Sequence, residues 1–193
     1  KELLQHFKSN RLYQFKKDTG FDRVVLDCIT SLENGADLLW IETEKPNVRQ
    51  IAEMVSAIRE KQPQAKLVYN NSPSFNWTLS FREQVYQEWV ESGKDVSDYP
   101  DPAKDPKGLM DEKFDESELA IEADKYIQNF QKDASKEAGI FHHLITLPTY
   151  HETALGTSVL SEGYFGDQGM LAYVKEIQRQ QIRREMSSVK HQD

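Results

Sequence analysis

The stretch Leu67-Val-Tyr-Asn-Asn-Ser-Pro-Ser-Phe-Asn-Trp77 constrains this chain more than any other. It opens on apolar, β-prone residues that suit a short buried strand. It then turns abruptly polar through Asn70, Asn71, Ser72, Ser74 and Asn76, with Pro73 stiffening the middle. Ser80, three residues before Glu83, has the spacing of a capping box and predicts the start of a helix. Strand, polar turn, helix is the arrangement that places active sites at the C-terminal ends of parallel strands. Small hydroxyls and amides at such a turn can grip a carboxylate through several hydrogen bonds at once. On composition alone, a turn that is merely polar explains the stretch equally well.

The flanking segments repeat the same theme. Val24, Val25, Cys28, Ile29 and Leu32 fall at helical spacing, predicting a helix over 21–34 that stops at Asn34-Gly35. Cys28 lies on its apolar side and reads as a buried structural thiol. Ala36-Asp-Leu-Leu-Trp-Ile-Glu42 reads as a parallel strand covered on both faces, with Glu42 at its tip. Asn47 is the expected cap of a helix whose inward stripe is Val48, Ile51, Ala52, Val55 and Ile58. Residues 36–70 thus form one β-α-β unit. Phe81, Val85 and Trp89 mark another helix, and Ser117 to Ala138 a further one stopped by Gly139. Ile140 to Leu147 is a third strand, on which His142 and His143 point to opposite faces and have packing roles. Thr149 and Glu152 make a second capping-box spacing. From Tyr150 onward the chain is mostly helical, broken around Gly163, Gly166 and Gly169.

Two segments carry weaker signals. Lys1 to Gly20 is polar and expected to be irregular, with Arg11 to Phe15 its one apolar patch. Residues 91–116 hold Pro100, Pro102 and Pro106 among many Asp and Lys residues, and read as a solvated, partly extended insertion.

Composition narrows the function. A net charge of −8 argues against nucleic acid as a partner. No apolar run approaches a membrane span, and Lys1-Glu-Leu-Leu-Gln-His6 is too polar for a signal peptide. One cysteine in 193 residues excludes an internal disulfide framework and fits a reducing, cytoplasmic setting. The absence of an initial Met and the abrupt end at Asp193 fit a piece of a longer polypeptide.

Tyr69-Asn-Asn-Ser-Pro-Ser-Phe-Asn-Trp77 resembles the substrate-carboxylate loop of the isocitrate lyase family, whose commonest version has Cys where this chain has Asn71. Trp40-Ile-Glu-Thr43 and Ile145-Thr-Leu-Pro-Thr-Tyr-His151 resemble further family segments in the same order. The resemblance implies an α/β fold, a fragment of a TIM-type (β/α)8 barrel comprising its last three strands, over residues 1–150, followed by a helical segment over 151–193. It implies cleavage of isocitrate to glyoxylate and succinate, with Asn70, Ser72, Ser74, Thr146 and Leu147 binding the carboxylate product. By the same resemblance Glu42 supports a Mg2+ ion through water, with no direct metal ligand in this chain. The family's catalytic cysteine, in a Lys-Lys-Cys-Gly-His motif, and its magnesium-binding aspartates have no counterpart here, so the chain alone is expected to be inactive. Helices after the family's barrel are exchanged within a homotetramer, and the same is expected here. Two alternatives stay open: a methylisocitrate lyase-type enzyme on the same barrel, and a non-catalytic α/β module that binds dicarboxylates.

Overall fold

The computed structural model describes residues 19–186 and the backbone of two short strands before them. Those strands, β1 (Leu4–His6) and β2 (Tyr13–Phe15), pair antiparallel, so the N-terminal region is not wholly irregular as its polarity suggests. The side chains of the Arg11 to Phe15 patch lie outside the described residues. The chain divides into two units, Lys1–Thr146 and Leu147–Asp193.

In the first unit, helix α1 (Gly20–Glu33) buries Val25 and Ile29 and ends at Asn34, with Gly35 turning at φ 97°. Strand β3 (Leu39–Ile41) leads through helix α2 (Val48–Lys61) to strand β4 (Leu67–Asn70). Asn47 caps α2 by accepting the Gln50 N–H at 2.9 Å, as its sequence position predicts. Helix α3 (Trp77–Ser92), helix α4 (Glu118–Ala138) and strand β5 (His142–Leu144) complete the unit. The strands form a parallel sheet in the order β3-β4-β5.

Among the described residues of this unit, helices pack on one face of this sheet. Leu39, Ile41, Leu67 and Tyr69 point to that face and are buried with Ile51, Val55 and Ile58 of α2. Tyr69 packs on Phe130 of α4, which in turn meets Trp77 and Phe81 of α3 edge-on at 5.1 and 6.0 Å. Trp40, between Leu39 and Ile41, is 58% exposed. This corrects the expectation of a strand covered on both faces: the apolar run is continuous, but Trp40 on the second face stands open among the described residues, although Val68 beside it is buried. Cys28 is half-buried beside the core, and burial together with the Asp27 charge pushes its thiol pKa up, away from reactivity.

Helix α3 starts earlier than the Ser80/Glu83 spacing predicts. Asn76 is the cap, accepting the Leu79 N–H at 3.0 Å, while Ser80 lies inside the helix and donates its N–H to the Asn76 carbonyl. The stacking of Trp77 on Phe81 draws the extra turn into the helix. Glu83 instead pairs with Lys45 at 2.7 Å.

The segment after α3 is folded, not merely solvated. Two 3-10 turns, Gly108–Met110 and Glu112–Phe114, bring Leu109 to full burial. Tyr99 packs between Trp89 and Phe114, and Lys94 sits 3.2 Å above the Trp89 ring. Arg82 of α3, itself buried, donates to the Leu109 carbonyl and to Asp115, both at 2.7 Å. Irregularly spaced apolar residues form these contacts, so no periodic pattern announces them. Arg82→Ala is expected to cost about 2–3 kcal/mol and to expose the segment to protease. Asp115→Ala should cost less, about 1 kcal/mol, because Asp115 is more than half exposed and water replaces it. Urea unfolding with limited proteolysis checks both. Equal, negligible effects would mean the segment is held by its apolar residues alone.

The second unit is helical. Helix α5 (Pro148–Phe165) begins after Leu147, which takes a left-handed φ of 55°. Pro148 at the first helical position sets this start, so Thr149 lies inside the helix and the predicted Thr149/Glu152 capping box does not form. Gly166 and Gly169 separate α5 from α6 (Met170–Tyr173), and Gly163 lets α6 approach, since a Cβ there would lie 2.9 Å from that of Ala172. A π turn over Val174–Gln178 leads to α7 (Arg179–Arg183). Among the described residues, no helix is long and apolar enough to cross a membrane.

Candidate functional site

The candidate residues gather where the three parallel strands end. Register places Ile41 level with Tyr69, and Asn70 level with Leu144. Glu42, the residue after β3, therefore meets Asn70, and Thr146 follows two residues beyond Leu144. Asn70 bridges both neighbours: its Nδ2 donates to Glu42 Oε2 at 2.8 Å, and its Oδ1 accepts from Thr146 Oγ1 at 2.7 Å. Asn70 is buried, Glu42 exposed and Thr146 half-buried.

This chain fixes the amide's orientation, because a carboxylate can only accept and the hydroxyl proton is spent on Oδ1. One Nδ2–H of Asn70 remains for a ligand. Thr146, expected to be a donor to the ligand, has its proton engaged in the geometry observed and must turn to offer it.

A second pair lies on the loop. Ser72 and Ser74 share a hydrogen bond of 2.6 Å between their hydroxyls, leaving one of the two protons free to donate. The Trp77 indole N–H holds the Ser72 carbonyl at 2.9 Å, anchoring the loop to the aromatic cluster below. Leu147, the remaining candidate, is the first residue of the second unit, and its side chain is 62% exposed.

On the helix-covered face, Thr43 Oγ1 bonds the Tyr69 hydroxyl at 2.7 Å and the Lys45 carbonyl at 2.6 Å. Burial is the main cause that pushes the Tyr69 pKa up to about 12, so it stays a neutral prop of the strand tips. Sequence reading missed Thr43 and Tyr69 because their meeting depends on strand register. His142 is exposed and His143 half-buried, on opposite faces as alternation predicts.

Among the described residues, no cluster of three or more acidic, His or Cys side chains is placed to hold a metal. Glu42 is a carboxylate at the strand tips, and one of its oxygens already accepts from Asn70. A magnesium ion takes one or two carboxylates with waters and substrate oxygens, and Glu42 offers one such carboxylate at the strand tips.

The fold and site define a class: an α/β protein whose parallel strand tips carry a hydrogen-bonded set of amide, hydroxyl and carboxylate groups. Comparison with known proteins narrows it. A model described as the isocitrate lyase family matches residues 9–96. Isocitrate lyase of Pseudomonas aeruginosa is 62% identical over 185 residues, covering 96% of this chain and 34% of its own length. Mitochondrial 2-methylisocitrate lyase of Hypocrea atroviridis is 34% identical over 146 residues, 76% of this chain and 18% of its own length. Isocitrate lyase of Oryza sativa subsp. japonica is 29% identical over 157 residues, 81% of this chain and 20% of its own length. The chain belongs to the isocitrate lyase family, and spans about a third or less of the length of these curated relatives.

Proposed function

We propose that this chain is the part of an isocitrate lyase that grips the succinate half of the substrate while isocitrate is cleaved to glyoxylate and succinate. The observation carrying this reading is the Glu42–Asn70–Thr146 bridge across three parallel strand tips, beside the Ser72–Ser74 pair. Cleavage sends the electron pair of the broken carbon–carbon bond onto the succinate fragment. The free N–H of Asn70 and the spare hydroxyl proton of Ser72 or Ser74 meet that growing charge with donors already in place. Each charge-assisted hydrogen bond contributes about 1.5–3 kcal/mol, or roughly tenfold to a hundredfold in rate.

The sheet is read as the last three strands of a (β/α)8 barrel. Helices on one face and an exposed Trp40 on the other support this, because a barrel covers its outer face with helices and fills its inner face from other strands. The Mg2+ ligands and the catalytic cysteine are assigned to residues outside this chain, and Glu42 to a supporting role through water. The second unit is assigned to contacts in a cytoplasmic homotetramer. Helix α5 buries none of its own residues, and Tyr150, Leu155 and Phe165 stand 65%, 68% and 83% exposed. That much apolar surface needs cover.

The test compares turnover of isocitrate and 2-methylisocitrate by the full-length enzyme, with isocitrate expected to be preferred. A preference for 2-methylisocitrate would favour the sister activity. The isolated 193-residue chain is expected to cleave neither. Isocitrate cleavage by that chain alone would overturn the assignment of the acid and metal groups elsewhere.

A further inference from the structure

Asn71 sits in the middle of the loop, yet the chemistry above does not use it. Its backbone N–H donates to the Leu144 carbonyl at 2.7 Å, carrying the β4–β5 pairing one residue past the strand. Its side chain is 5% exposed, and neither Nδ2 nor Oδ1 has a hydrogen-bond partner among the described residues. A buried amide left in that state costs stability comparable to lost hydrogen bonds, so in the working protein something pairs with it.

Strand alternation identifies the side on which to look. Asn70 faces Glu42 and Thr146, so the next residue turns toward the face of Tyr69. There the Tyr69 ring meets His143 of β5 edge-on, with centroids 6.2 Å apart. His143 carries a third bare atom: Nε2 lies 3.3 Å from the Ile140 carbonyl, while Nδ1 is buried without a partner among the described residues. Burial holds its pKa below the ordinary 6.5, so the ring is neutral near pH 7. With its proton on Nε2, facing the carbonyl, Nδ1 can only accept. Neighbouring strands therefore hold, toward one face, an amide with two donors and an acceptor, and a ring nitrogen that accepts. A water molecule satisfies such a set, since buried waters typically bond about three polar groups.

We propose that Asn71 is a positioning residue of the carboxylate loop, its amide joined to His143 Nδ1 through one buried water that fixes the backbone carrying Ser72 and Ser74. The kinetic consequence rests on the isocitrate lyase reading; the pairing itself does not.

The test is a double-mutant cycle in the full-length enzyme with Asn71→Leu, His143→Phe and both together. Each single variant is expected to melt a few degrees below wild type, and the double variant no lower than the worse single one. In Asn71→Leu, product inhibition by succinate should weaken about tenfold as the loop loosens, while inhibition by glyoxylate stays unchanged. Melting of Asn71→Leu at or above wild type would mean the amide has no partner, and fully additive losses would mean it shares none with His143. Equal weakening of both products would show an effect on the whole fold, not on the loop. Should Asn71→Leu not fold, Asn71→Ala replaces it in the same cycle. If the wild-type enzyme neither cleaves isocitrate nor responds to succinate, the functional reading fails, and the melting cycle still decides the pairing.

Discussion

Asn70→Ala in the full-length enzyme is expected to lower kcat about a hundredfold while leaving the protein folded. On the proposed function, the substitution removes the N–H that meets the carboxylate, a charge-assisted bond whose loss alone accounts for roughly tenfold to a hundredfold. It also releases Thr146 and Glu42 from the amide that orients them at 2.7 and 2.8 Å. Both are partly exposed, so water replaces the lost bonds and stability changes little. Asn70→Asp should be at least as damaging, because it sets a second carboxylate against Glu42. Steady-state kinetics with circular dichroism separates lost chemistry from lost fold. A change in kcat below threefold would remove Asn70 from the site.

Phe130→Ala should be the most destabilising single change in the first unit, at about 3–5 kcal/mol. Phe130 is 1% exposed and central to the aromatic cluster, with Tyr69, Trp77 and Phe81 around it at 5.7, 5.1 and 6.0 Å. The cavity would undermine both ends of the site's support. Tyr69 carries the strand tip through Thr43, and Trp77 carries the loop through the Ser72 carbonyl. Activity should therefore fall at temperatures where the protein is still folded. Phe130→Leu, which keeps most of the volume, should lose less than half as much. Urea unfolding measures the difference, and a loss under 1 kcal/mol for the alanine variant would show that the cluster does not depend on this ring.

The elements that periodicity governs were legible from the residues. The stripe Val48, Ile51, Val55 and Ile58 gave α2, with Asn47 its cap, and Gly139 in a left-handed turn ended α4. The strand-loop stretch was equally plain, since β-prone residues give way to Asn and Ser at one point. What stayed hidden depends on contacts between distant residues. Ser80 and Glu83 satisfy a local capping rule, yet Trp77 stacks on Phe81 and moves the helix start back to Asn76. Leu109, Tyr99 and Phe114 follow no period, and the contacts that hold their segment, the buried guanidinium of Arg82 and the Trp89–Tyr99–Phe114 ring contacts, join residues far apart in the chain. Asn70, Ser72, Ser74 and Thr146 stand out in the sequence through its resemblance to the family's segments. That Thr146 gives its proton to Asn70 becomes visible only when β4 and β5 lie side by side.

The ends of β3 and β4 are fastened twice, once on each side of the sheet. Glu42 reaches Asn70 on one side, and Thr43 reaches Tyr69 on the other. Sliding one strand by a single position would carry the asparagine into the oily layer beneath the helices and push the tyrosine out onto the opposite face. Both fastenings would break in the same movement. Two consecutive residues on each strand thus act as a key with teeth cut on both edges, admitting one alignment and refusing the next.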